Sequence, residues 1–265
     1  MLGLNFKTVA IIFLVGLSLK SYAGVTPSEY EFVTKQLMNE FSADIAKVTN
    51  NRGFQIRYDL SNEVAGTANH LNLIVVGGGY KNIEQMNRDA LTLQLCHEIG
   101  HILAGAPFLG DRSVMGQADY FATSKCLPRI WRRDNSVMVI RRWVYPKEFA
   151  IKCSQSFAQP NRVALCIRSA IAAQMLALTL HQTNPGVDPN APQPNYKTPD
   201  RHVEKSGVYN LEFPSNQCRL DTMLAGSYCN INPYMPVNIA SAALTGCPKG
   251  NGARPLCWFQ PELGP

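Results

Sequence analysis

Residues 96–105 read CHEIGHILAG, and within them HEIGH sets His97 and His101 four apart, with Glu98 directly after the first. On a helix, residues four apart share a face one turn above the other, so both imidazoles can point a nitrogen at a single ion. Glu98 lies about 100° further round the helix, beside such an ion rather than on it, where a carboxylate can take a proton from water. Gly100 leaves room for a neighbouring element to pack closely behind the pair. By chance HExxH turns up on the order of once per hundred chains of this size. Here it falls on an expected helix that follows an expected strand, and it uses two of only five histidines. Two ligands do not make a catalytic zinc site, so a third must be sought elsewhere.

Leu71–Val76 (LNLIVV) reads as a strand that runs into Gly77, Gly78 and Gly79. Tyr80, Lys81 and Asn82 follow, with neither GxGxxG nor GxxxxGK[ST], so the glycines indicate a turn or a close backbone approach rather than a nucleotide loop. Leu91, Leu95, Ile99, Ile102 and Leu103 recur at helical spacing until Gly105 and Pro107. Upstream, Thr26-Pro27-Ser28-Glu29 is a helix start with a capping-box pattern, and Phe32, Leu37, Phe41, Ile45 and Val48 carry that helix to Asn50, Asn51 and Gly53. Phe54–Leu60 alternates as a half-buried strand. Downstream, helices are expected over Val114–Lys125, from Asn161 to Leu180, and from Ser215 to Gly226. Residues 182–214 contain six prolines and read as an extended loop. The expected fold is α+β: a helix-rich domain over 24–265 with a small sheet and a C-terminal tail stapled by disulfides.

Residues 1–23 have the layout of a secretory signal peptide, with Lys7, an apolar run from Val9 to Leu19, and small residues at Ser21 and Ala23. Ala164–Leu180 is apolar but interrupted by Arg168 and Gln174, so no integral membrane segment is expected after the leader is removed. Export to a secreted or periplasmic location fits the even set of eight cysteines, which predicts disulfides. The shortest loops would pair Cys218 with Cys229 and Cys247 with Cys257. No CxxC occurs, which gives a cysteine zinc ribbon or a redox dithiol little support. The net charge of +6 falls to +4 once Lys7 and Lys20 leave with the leader, too mild to indicate a nucleic-acid partner.

The stretch LIVVGGGYKNIEQMNRDALTLQLCHEIGHILAG resembles the gluzincin zinc endopeptidases, notably the HtpX and CAAX-prenyl-protease branch. In that branch an edge strand precedes the HE[IL]GH helix, and a second helix carries an E-x-x-A-D pattern. Its glutamate binds zinc and its aspartate orients a ligand histidine. The matching residues here are Met115-Gly116-Gln117-Ala118-Asp119, with methionine at the position of the glutamate. The likeness covers residues 71–122 and weakens beyond them, where Pro214–Leu220 corresponds to a late "HP…R" segment with Arg219 retained and the histidine absent. It implies a zincin-like metallopeptidase domain acting on a peptide or protein substrate. Zn2+ would be held by His97 and His101, Glu98 would be general base, and the Leu71–Val76 strand would receive an extended peptide. A thioether is a poor zinc ligand beside imidazole, so the third position stays open. Asp119 could fill it or serve as the orienting carboxylate, and Asp111, His70 and His202 are further candidates. Alternatively, the site has only two protein ligands and the chain is an inactive, peptide-binding relative.

Two basic and aromatic stretches remain, Arg129–Arg133 (RIWRR) and Arg141-Arg142-Trp143. Such mixtures can bind nucleic acid or anionic headgroups, but more often they are solvated helix faces with arginine stacked on tryptophan. Cys96 points to another face of its helix than the histidines, which suits a disulfide or core role.

Overall fold

The computed structural model describes residues 24–62, 64, 66–70, 73–183, 190–203, 214–237 and 245–259; the expected leader, 1–23, lies outside them. The first helix, α1 (Pro27–Val48), begins with the expected capping box: Thr26 accepts from the Glu29 backbone N–H while the Glu29 side chain caps back. Its buried stripe is Tyr30, Val33, Leu37, Phe41 and Ile45, a run at helical spacing. Phe32 and Val48, expected on that face, are exposed: Phe32 falls on another side of the helix from Tyr30 and Val33, and Val48 is its last residue. Asn50 and Asn51 end the helix with φ of 53° and 60°, which asparagine tolerates better than most residues.

Three strands follow: β1 (Gln55–Asp59), β2 (Thr67–His70) and β3 (Leu73–Gly77). They form a sheet of order β1-β3-β2, with β1 parallel and β2 antiparallel to β3. The strand that precedes the HEIGH helix is therefore central rather than an edge. The edge beside that helix is β2, a short polar TANH segment that lacks the periodicity by which strands are recognised. A Cβ on Gly77 would lie 2.1 Å from the Val64 carbonyl oxygen, so the glycine run marks the expected close backbone approach.

Helix α2 (Arg88–Leu103) starts at an Asn87 cap and runs through the middle of the molecule, with every residue from Asp89 to Gly100 buried. Near its start Asp89 meets Arg168 at 2.7 and 2.8 Å. Arg168 also bonds Asp134 at 2.7 Å and stacks 3.9 Å above the Trp131 ring. After a short hairpin, β4 (Phe108–Leu109) and β5 (Arg112–Ser113), comes α3 (Met115–Phe121). The expected single helix over Val114–Lys125 is in fact α3, a π-helical turn at Ala122–Cys126, and α4 (Leu127–Ile130). Two helices not anticipated, α5 (Ser136–Ile140) and α6 (Lys147–Ser156), lead to α7 (Pro160–Thr183), and α8 (Asn216–Tyr228) is capped by Ser215.

By length and composition α7 is long and apolar enough to cross a membrane, despite Arg168 and Gln174. It packs instead as a core helix, mostly buried against protein. One hydrophobic core takes side chains from α1, the sheet, α2 and α4–α8. A smaller cluster of Val114, Tyr120, Trp258 and Phe259 binds the C-terminal segment to α3 and α8.

All eight cysteines are paired: Cys96–Cys126, Cys153–Cys166, Cys218–Cys257 and Cys229–Cys247. The C-terminal pairing corrects the short-loop expectation. Cys218 and Cys229 sit near opposite ends of α8, about 16 Å apart by helical rise, beyond the 7 Å that a disulfide spans between Cα atoms. Four disulfides mark a chain matured in an oxidising compartment. The architecture is helix-rich α+β with a small sheet and a stapled C-terminal segment.

Candidate metal site

Gln94, His97, Glu98 and His101 project from one face of α2 towards β2 and the loop before α3. Helical spacing brings the two imidazoles together edge to face, with Nε2 atoms 3.0 Å apart. The other nitrogen of each ring is committed. His97 Nδ1 lies 2.7 Å from Asp119 Oδ1, and His101 Nδ1 lies 2.7 Å from the Ser113 carbonyl oxygen. An ionised carboxylate and a carbonyl can only accept, so the network assigns the proton of each neutral ring to Nδ1. Both Nε2 lone pairs then face each other across a gap that only a proton or a cation makes favourable. Tetrahedral zinc, with bonds of about 2.0–2.1 Å, holds two nitrogens about 3.3 Å apart. The pair fits a small divalent cation.

Asp119 is fully buried, and its carboxylate is gripped by Arg219, with Nε on Oδ2 at 2.8 Å and Nη2 on Oδ1 at 2.9 Å. Burial alone would push the Asp119 carboxyl up. The Arg219 guanidinium and His97 outweigh it and hold the group well below the usual carboxylate range. Asp119 sits on the Nδ1 edge of His97, away from the nitrogen that faces His101. Of the two roles open to it, this is the geometry of an orienting carboxylate. Burial and the neighbouring His97 hold His101 below the ordinary histidine range, as a neutral imidazole that is able to ligate. Gly100 makes the arrangement possible: a Cβ there would lie 2.8 Å from the Ala118 carbonyl oxygen, and α3 could not bring Asp119 so close.

Glu98 is 6% exposed, and its Oε1 accepts from the Thr67 hydroxyl on β2 and from Gln94 Nε2 at 2.9 Å. Gln94 Nε2 also reaches Thr67 Oγ1 at 2.9 Å, closing a triangle that fixes the carboxylate. Sequence reading missed both partners. Gln94 was within reach of it, being four residues before Glu98 on the same face; Thr67 was not, since β2 carries no sequence signal. Beside the triangle, the Gly77 N–H donates to the Gly66 carbonyl at 2.9 Å. Antiparallel alternation therefore turns the backbone N–H and C=O groups of Thr67 and Asn69 away from β3, to the open edge.

Met115 is the first residue of α3 and is half-buried. Asp111, at the tip of the β4–β5 hairpin, is 63% exposed and shares with His101 a cleft of about 440 Å³. His202 is exposed on the proline-rich loop, and His70 ends β2. Among the described residues, the one set of three ligand-type side chains that converges is Asp200, Cys218 and Cys257. Its two sulfurs are joined in a disulfide and cannot act as thiolate ligands. Cys96, next to His97, points away from the site into its bond with Cys126, as its helix face implied.

No family model, curated protein or solved structure matches this chain.

Proposed function

We propose that this chain is an exported zinc-dependent metalloendopeptidase of zincin type, in which His97 and His101 hold the ion and Glu98 is the general base. The observation that carries the reading is the pair of opposed Nε2 atoms, each ring oriented by an acceptor on its other nitrogen. Orientation by carboxylate or carbonyl is what metal-binding imidazoles use to fix their tautomer and basicity. Bound zinc would supply a Lewis acid for the scissile carbonyl and lower the pKa of water. Glu98, with its Oε1 held by Thr67 and Gln94, takes a proton from the attacking water and delivers it to the leaving amine. Asp119 and Arg219 keep His97 from turning. The outward backbone groups of Thr67 and Asn69 pair with an extended peptide beside Glu98. Main-chain pairing of this kind gives broad rather than sharp sequence preference.

A second reading has its own observation. Methionine stands at position 115, and no third side chain converges with the histidine pair among the described residues. On that reading the scaffold binds peptides along β2 and no longer cleaves them.

Zinc content and peptide hydrolysis, measured on the same preparation, decide between them. The enzyme reading expects about one zinc per chain and cleavage that stops on chelation. It expects His101→Ala to lose the metal, and Glu98→Gln to keep it while losing about 10²–10⁴-fold in rate. A folded, zinc-free chain that binds peptides without cutting them establishes the second reading. Activity that appears only in Met115→Glu does the same.

A further inference from the structure

The two basic and aromatic stretches have different fates. In the first, Arg129 bonds Glu40 at 2.9 Å and Asp44 at 2.8 Å and lies 4.2 Å above the Phe41 ring, Arg132 bonds Glu40, and Trp131 is buried. That stretch is absorbed into the fold. In the second, Arg141 and Arg142 are exposed and make no ion pair among the described residues. The next residue but one, Val144, is fully exposed at 104%.

Arg142 lines a shallow cleft of about 430 Å³ that also takes in Glu29, Arg88, Asp89, Met138 and Trp143, and Arg141 adjoins it through a contact of 3.7 Å with the Met138 sulfur. Of the two acids of the cleft, one is neutralised by an arginine and the other keeps its charge while bonding the neutral N–H and hydroxyl of Thr26. Glu29 closes the capping box of α1, and Asp89 is held by Arg168. Arg88 stands 5.5 Å above the ring of Phe32, which is 49% exposed, and Met138 is 48% exposed. The surface therefore combines guanidinium groups at positions 88, 141 and 142 with three aliphatic or aromatic side chains that the protein leaves in water. Glu148 adds one exposed acid beside Lys147.

We infer that this face, centred on Arg141–Val144, docks onto an anionic phospholipid surface. Arginines bind headgroup phosphates while Val144, Met138 and Phe32 enter the interfacial layer, with the half-buried Trp143 beside them. Basic residues near a negatively charged leaflet and apolar side chains at the acyl boundary act together in this way. A nucleic acid fits less well, because the projecting side chains are mainly aliphatic and bases stack on exposed aromatic faces. The cleft adjoins the N-terminal end of α2, about 14 Å along the helix from His97, so docking leaves the metal site open. The inference is independent of the proposed activity.

The test is co-sedimentation of the oxidised chain with phosphatidylcholine vesicles, with or without about one-third phosphatidylglycerol, at low and high salt. Binding is expected only to the anionic vesicles and should be released by salt. Arg141→Ala combined with Arg142→Ala should weaken partitioning at least about tenfold. The control pair Arg57→Ala and Lys249→Ala, which removes the same charge elsewhere, should change it little. Trp131 and Trp258 are buried, so a blue shift and quenching by brominated acyl chains should report Trp143 and vanish in Trp143→Phe. Equal binding to neutral vesicles, an equal loss in the control pair, no effect of the arginine pair, or unquenched Trp143 would each overturn the proposal. So would preference for a single-stranded oligonucleotide over the anionic vesicles.

Discussion

Two buried arginine–aspartate clamps grip helix α2 and its neighbours, and they have almost the same geometry. Arg168 holds Asp89 at 2.7 and 2.8 Å, and Arg219 holds Asp119 at 2.8 and 2.9 Å. What surrounds them differs. Arg168 is closed off by Asp134 and the Trp131 ring, so its interactions end within the fold. The other clamp passes one carboxylate oxygen on to His97, 2.7 Å away. A buried ion pair is by itself weak support for function. The imidazole at the far end is what distinguishes the second from the first.

The largest expected effect comes from breaking the first clamp. Arg168→Ala leaves Asp89 buried without its counter-charge and should cost about 3–5 kcal/mol of folding stability in chemical denaturation, with zinc affinity of the folded fraction unchanged. A parallel loss of zinc affinity would break the distinction between the clamps. Next in size, Asp119→Asn should lower zinc affinity about 10–100-fold, read by competition with a chromogenic chelator, because His97 loses its carboxylate partner. Unchanged affinity would reduce the second clamp to the status of the first.

The smallest effect, because solvent screens a half-buried group, concerns a carboxylate with no arginine beside it among the described residues. Asp221 accepts from the Asp200 backbone N–H and from Gln217, and burial, the largest cause, raises its pKa to about 6 against an ordinary 3.8, with the nearby Asp200 charge adding to the rise and Lys152 opposing it. Its native form binds the proton more tightly than the unfolded chain does. Stability from this group is therefore fully present below about pH 3.8 and is lost as pH rises towards 6. Relative to Asp221→Asn, the wild type should weaken through that window in denaturation measured at successive pH values. A flat difference would mean that the guanidinium is not what separates Asp119 from Asp221.

Part of this molecule could be read without any tertiary information. Thr26 and Glu29 cap α1 through contacts three residues apart, and His97 and His101 converge through contacts four apart. The histidine pair and the position of Glu98 beside it follow from the pitch of a single helix. The second strand of the site did not. Thr67 lies in a four-residue segment, three of them polar, whose pairing depends on β3 and not on a pattern of its own, and that pairing makes β3 central where the family resemblance implied an edge strand. The disulfides were countable but not connectable, since the loop entropy that favours close cysteines is small beside the rigidity of α8, which keeps Cys218 and Cys229 apart.

Local periodicity determined the helices, their caps and the paired imidazoles, because those depend on bonds closed within one or two turns of chain. Tertiary structure decided which edge of the sheet faces Glu98, which cysteines meet, and that Asp119 addresses Nδ1 of His97 with Arg219 behind it. These last contacts join residues 22 and 100 positions apart, and only the close approach of α3 to α2 at Gly100, with α8 packed on α3, brings them within hydrogen-bond reach.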